Sequence, residues 1–139
     1  MANRLEPVLR LFFVILLMFP GSLHLMSIPS FAWSIYTYGI VSAAVASILA
    51  PLLSSVELSL GFSLLIGSTM RCSYCFIAIL FIVYAVAISF PLVADKKISC
   101  GCLGTFSPEI SWWHVFALCT MSGVAVWISR SISTKQVAN

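Results

Sequence analysis

The run FIAILFIVYAVAISFPLV, residues 76–93, holds eighteen residues and not one charge. A hydrocarbon core of about 30 Å takes roughly 20 helical residues, so this stretch reads as a slightly short membrane helix. Flanking aromatic and basic side chains make up such a deficit by sitting at the membrane–water interface.

Three more stretches share this character. VLRLFFVILLMFPGSLHLM covers residues 8–26, a second apolar run covers Ile40 to Ile66, and another covers Trp112 to Ile128. The whole chain is 139 residues, 61% hydrophobic and only 8% charged, with a mean hydropathy of +1.11. Soluble domains carry about 25% charged residues, so there is too little polar surface here to cover a soluble globule. The expectation is one all-α integral membrane domain over residues 1–139, a four-helix bundle spanning at about 8–26, 40–66, 76–93 and 112–128. MANRLEPVLRLFFVILLMFPGS also has the basic lead and apolar core of a signal peptide. No A-x-A cleavage site follows it, so a retained helix is expected.

Basic residues set the orientation. Arg4, Arg10, Arg71, Arg130 and Lys135 fall on one side of a four-span chain. Lys96 and Lys97, beside Asp95 and Glu109, fall on the other. The positive-inside rule then places both termini in the cytoplasm and the chain in the inner (plasma) membrane. Between the first two spans, SIPSFAWSIYTYG is short and aromatic, and is expected to form an interfacial helix anchored by Trp33, Tyr36 and Tyr38. Gly39, Ala43, Ser47 and Pro51 recur every fourth residue, a spacing that lets another helix approach closely, and are expected to form the bundle seam. The net charge of +3 comes from residues flanking the spans. It suggests lipid headgroups as the partner, not nucleic acid. No Walker, dinucleotide, HExxH or nucleophile-elbow motif is present.

Chemistry concentrates in the cysteines. ISCGCLG, residues 98–104, carries Cys100 and Cys102 with one glycine between them. Alpha carbons two apart can reach the ~4.4–6.8 Å of a disulfide, and the orientation puts the pair on the oxidising face. A ring this small is strained and readily exchanged, Gly101 permits the turn, and Lys96 and Lys97 favour thiolate. Two unreactive small residues in a loop is the bland alternative.

RCSYC adds Cys72 and Cys75 behind Arg71 at the start of the third span, on the cytoplasmic side. A helix start and a positive charge lower a thiol's pKa. Yet about 25 helical residues at ~1.5 Å each separate the two pairs, which forbids direct exchange. Incidental boundary cysteines are as good an account of them. Cys119 lies mid-span in FALCTMSG and reads as a small buried hydrophobe.

Glu57 lies within the second span, where a carboxylate costs on the order of 2.5–3.5 kcal/mol and must face the interior or be protonated. Its roles are either functional or those of a structural acid hydrogen-bonded to a residue such as serine. His24 and His114, near the outer boundary, could each polarise a thiol or serve structure alone.

PSFAWSIYTYGIV, LSSVELSLGFSLLIG and ISCGCLGTFSPEISWWHVFAL follow one another in a way that resembles the MauE methylamine-utilisation family, itself similar to DoxX-like four-helix membrane proteins. The matching positions are Phe31, Ile35 and Tyr38; Glu57, Leu58 and Gly61; then Cys100, Gly101, Cys102 and Gly104, with Trp112 or Trp113. Where that pattern carries a lysine after a glycine in the first helix, this chain has His24. The resemblance implies a redox-associated membrane protein that helps mature disulfide-rich extracytoplasmic proteins, such as the methylamine dehydrogenase small subunit, alongside a thioredoxin-like partner.

Two functional readings follow. In one, Cys100 and Cys102 exchange disulfides with a thioredoxin-like protein or a secreted client. Electrons then pass to or from a quinone, or cross the bilayer by way of Cys72 and Cys75. In the other, the cysteine pairs handle a soft metal, Cu(I) or Hg(II), through thiolate ligands.

Overall fold

The computed structural model describes residues 2–67, 70–95 and 110–137. Its elements are α1 (Ala2–Met26), α2 (Ile28–Thr37), α3 (Ala43–Ile66), α4 (Met70–Val93) and α5 (Trp112–Val137). Four of them contain segments long and apolar enough to span a membrane: Glu6–Met26, Ala43–Ile66, Met70–Val93 and Trp112–Ile132. The expected helix between the first two spans is α2, with Pro29 in its first turn, where a missing N–H costs nothing. Helices extend beyond the apolar runs at several ends. α4 begins at Met70, six residues before Phe76, because the polar RCSYC stretch is itself helical.

The bundle is two helix pairs. α1 packs on α3 and α4 on α5, while α2 lies against α3 and the contact between α3 and α4 is sparse. The core fills one half of the molecule. Phe13 of α1 meets Tyr74 edge-on at 5.8 Å and stacks on Phe81 at 6.2 Å, with Leu17, Leu64, Ile77 and Ile128 closing around them. Large apolar side chains such as Leu11, Phe19, Ile48, Phe62, Phe90 and Trp127 point outward. In a bilayer that is the cheap arrangement, since lipid tails solvate them as well as a core would.

The seam of α3 lies elsewhere than the every-fourth-residue pattern indicates. Gly39, Ala43 and Ser47 are exposed. Buried instead is the row Ala46, Ala50, Ser54, Glu57, Gly61 and Leu64. Small residues on this row bring α1 close: a Cβ on Gly61 would stand 2.6 Å from Met18 Cγ.

At the far end of α3 the helix stops at Gly67, whose φ of 80° is a left-handed helix cap that glycine adopts without strain. Arg10 reaches across from α1, donating from Nε to the Leu64 carbonyl at 2.5 Å and from its terminal nitrogen to that of Leu65 at 2.6 Å. A guanidinium at a helix C-terminus satisfies unpaired carbonyls and complements the negative end of the dipole. Arg10→Ala is expected to destabilise the protein by about 1–3 kcal/mol. Arg10→Lys should recover only part, since a point charge does not hold two carbonyls in a fork. Thermal unfolding in detergent measures both, and an unchanged Arg10→Ala variant would remove the clamp from this account.

Candidate functional site

One buried polar cluster joins the two helix pairs. Glu57 on α3 is 3% exposed and His24, two residues before the end of α1, is 5% exposed. His24 Nδ1 lies 3.2 Å from Glu57 Oε2, and the Tyr84 hydroxyl of α4 donates to Glu57 Oε1. Each carboxylate oxygen therefore has one partner, and one side chain ties α1, α3 and α4 together. A buried carboxylate needs such partners, because solvation lost on burial is recovered only through hydrogen bonds.

The backbone makes room for this contact. Gly21, one turn before His24, has no side chain; a Cβ there would stand 3.1 Å from Glu57 Cβ and 3.3 Å from its Oε2. The imidazole is held flat by Phe31 of α2, with ring centroids 3.8 Å apart and planes 3° from parallel. Its Nε2 is buried and finds no hydrogen-bond partner among the described residues.

Beside the cluster lies a cavity of about 280 Å³. His24, Phe31 and Tyr84 line one part of it; Tyr38, Ile40 and Val41 line the part toward the α2–α3 turn. Leu53 of α3, Ala87 of α4 and Leu118 of α5 complete its sides. Its lining is apolar but for the imidazole and two phenols. Burial pushes the Tyr38 phenol up to about 12, so it stays a neutral hydrogen-bonding group at ordinary pH. Trp33 and Tyr36 do face outward as interfacial anchors would, whereas Tyr38 turns to the cavity.

Of the five residues expected to carry chemistry three are described, and of those Glu57 alone belongs to this cluster. Cys72 and Cys75 lie at the opposite end of the bundle, the Arg10 end, and are free thiols. They share pocket walls with Arg71, and Cys75 Sγ is 3.2 Å from the Ser129 hydroxyl. Between Cys75 and Val93 run 18 helical residues, roughly 27 Å. Cys100 and Cys102 lie outside the described residues. Cys119 is exposed on α5, not buried as its position in an apolar run suggests. His114 turns back to its own helix start, where Nδ1 accepts from the Ser111 N–H at 3.2 Å. Among the described residues no three metal-ligating side chains come together.

Sequence reasoning missed Tyr84 entirely and did not join His24 to Glu57. The signal for the first was available: a polar ring in the most apolar span, in a protein whose buried acid needs a donor.

No curated protein and no solved structure matches the chain. The family of the methylamine utilisation protein MauE does, over residues 2–130, a range that takes in the first three apolar helices, the segment bearing Cys100 and Cys102, and most of the fourth apolar helix. The chain is a multi-pass membrane protein of the MauE methylamine-utilisation family.

Proposed function

We propose that this protein is a membrane thiol–disulfide oxidoreductase that supports disulfide formation in proteins maturing outside the cytoplasm. Cys100 and Cys102 are the exchanging pair. The partner is a thioredoxin-like extracytoplasmic protein or a secreted client, with the methylamine dehydrogenase small subunit as the client suggested by the family. Both termini are cytoplasmic, and the protein sits in the inner (plasma) membrane.

One observation carries the reading. Residues 96–109 join the ends of α4 and α5, and Ile88 and Leu118 of those helices line the cavity beside Glu57. They stand within about 9 Å, as helical rise, of Val93 and Trp112. The helix ends that flank the two-cysteine segment thus stand toward the cavity, while Cys72 and Cys75 lie at the other end of the bundle. The basic residues flanking the spans support the orientation.

Thiol labelling of sealed cells with a membrane-impermeant maleimide tests orientation and redox state together. Cys100 and Cys102 are expected to resist the reagent until a reductant is added and to react afterwards. Cys72 and Cys75 should react only in lysed cells. Labelling of Cys72 and Cys75 in sealed cells would invert the topology and remove the basis for this function.

A further inference from the structure

We infer that the cavity beside His24 binds the headgroup of a membrane quinone, and that His24 Nε2 is its hydrogen-bonding and proton-delivering contact. The inference takes its electron donor from the thiol–disulfide reading above; the binding itself does not depend on it.

Three observations point to this ligand class. The cavity is apolar, is walled by the apolar spans on one side and by α2 and the α2–α3 turn on the other, and has aromatic walls from Phe31, Tyr38 and Tyr84. Such walls suit a flat conjugated ring. At about 280 Å³ it is small, near the lower end of ligand sites, which fits a substituted ring better than a bulky polar metabolite. Finally, a buried ring nitrogen without a partner is costly unless something fills its valence. His24 Nε2 is such an atom. An acyl chain would leave it unsatisfied, whereas a quinone carbonyl accepts from it.

The chemistry follows from the pair behind the imidazole. Glu57 and His24 held as a net-neutral couple carry one proton between them, the less costly arrangement for a buried pair. In that state Nε2 bears a hydrogen and donates to the carbonyl. Oxidation of the Cys100–Cys102 dithiol breaks two S–H bonds and forms one S–S bond. Two electrons pass to the quinone, and two O–H bonds form as it becomes the hydroquinone. One of those protons comes from His24 Nε2. Of the two protons released by the thiols, one restores the His24–Glu57 pair and the other balances the second oxygen. Glu57 and Tyr84 are positioning residues: they fix the imidazole and its tautomer from Nδ1.

Titration calorimetry of the full-length protein in detergent with decylubiquinone tests the site. The wild type is expected to bind, and His24→Leu to bind about tenfold more weakly, as loss of one hydrogen bond implies. Ala87→Phe puts a ring into the cavity and removes no hydrogen bond, so it should abolish binding in a protein that still folds. This second variant decides the matter should His24→Leu misfold. A Cys100→Ser, Cys102→Ser double variant should bind as the wild type does. That result supports the site whatever the thiol experiments return, and loss of binding there would overturn it. Absence of binding to the wild type, equal binding by Ala87→Phe, or equal displacement by n-decanol, which has a chain but no quinone ring, would each overturn the inference.

Discussion

Glu57→Leu is expected to lower stability by about 2–4 kcal/mol, whereas Glu57→Gln should stay within about 1 kcal/mol of the wild type. The leucine removes the acceptor for the Tyr84 hydroxyl and the partner of His24 Nδ1 together. The imidazole is buried and the tyrosine partly so, each then without that partner, and the sparse α3–α4 contact loses a cross-link. Glutamine keeps an oxygen for Tyr84 and offers its amide to Nδ1. Tyr84→Phe should fall between them, at about 1 kcal/mol, because it deletes one bond and leaves Glu57 with the other. Unfolding in detergent gives the order, and a Glu57→Leu protein as stable as the wild type would show that the cluster does not hold the helix pairs together. In the quinone reduction proposed above, stability and proton delivery separate at this residue. An amide cannot share a mobile proton with the imidazole, so Glu57→Gln should bind decylubiquinone normally. Its reduction by the protein's thiols should slow by about a hundredfold, the usual contribution of a positioned acid.

The four spans were legible because a membrane helix announces itself by length and lack of charge, with no periodicity needed. Its facing is harder to read. Two rows of small residues run into α3, one starting in the turn before it, and spacing of four alone does not choose between Gly39–Ala43–Ser47 and Ala46–Ala50–Ser54. Glu57 chooses: a carboxylate must face inward, and stepping back three, seven and eleven positions gives Ser54, Ala50 and Ala46. The same logic carries forward to Gly61 and Leu64, and all of them are buried.

The candidate site was half legible for a related reason. An intramembrane acid demands partners, but which ones depends on helix order and depth, and neither is written in one helix. His24 lies 33 positions from Glu57 and Tyr84 lies 27. They meet because α1 ends at Met26 and Gly21 allows that end to approach α3. The serine partner expected for Glu57 is supplied elsewhere: Ser54, one turn away, bonds the Ala50 carbonyl of its own helix at 2.9 Å.

One of the two single variants Cys100→Ser and Cys102→Ser is expected to accumulate a mixed disulfide with its partner, visible on non-reducing gels as a larger band. Disulfide exchange proceeds by thiolate attack, and the intermediate is normally released by the second cysteine of the pair. With that resolving cysteine replaced, the attacking one stays covalently bound; with the attacking one replaced, nothing forms. The contrast is all or none, which makes it the largest effect expected for this protein. The double variant should show no band, and reductant should abolish the one that appears. Cys72→Ser and Cys75→Ser are expected to leave the adduct in place, since those thiols stand at the far end of α4, roughly 27 Å of helix from Val93. Failure of both single variants to trap a partner, together with free Cys100 and Cys102 in native membranes, would rule out the exchange reaction. A soft-metal role for the same pair would then be tested by metal analysis of the purified protein, because two neighbouring thiolates are ligands for Cu(I) as readily as they are a redox couple.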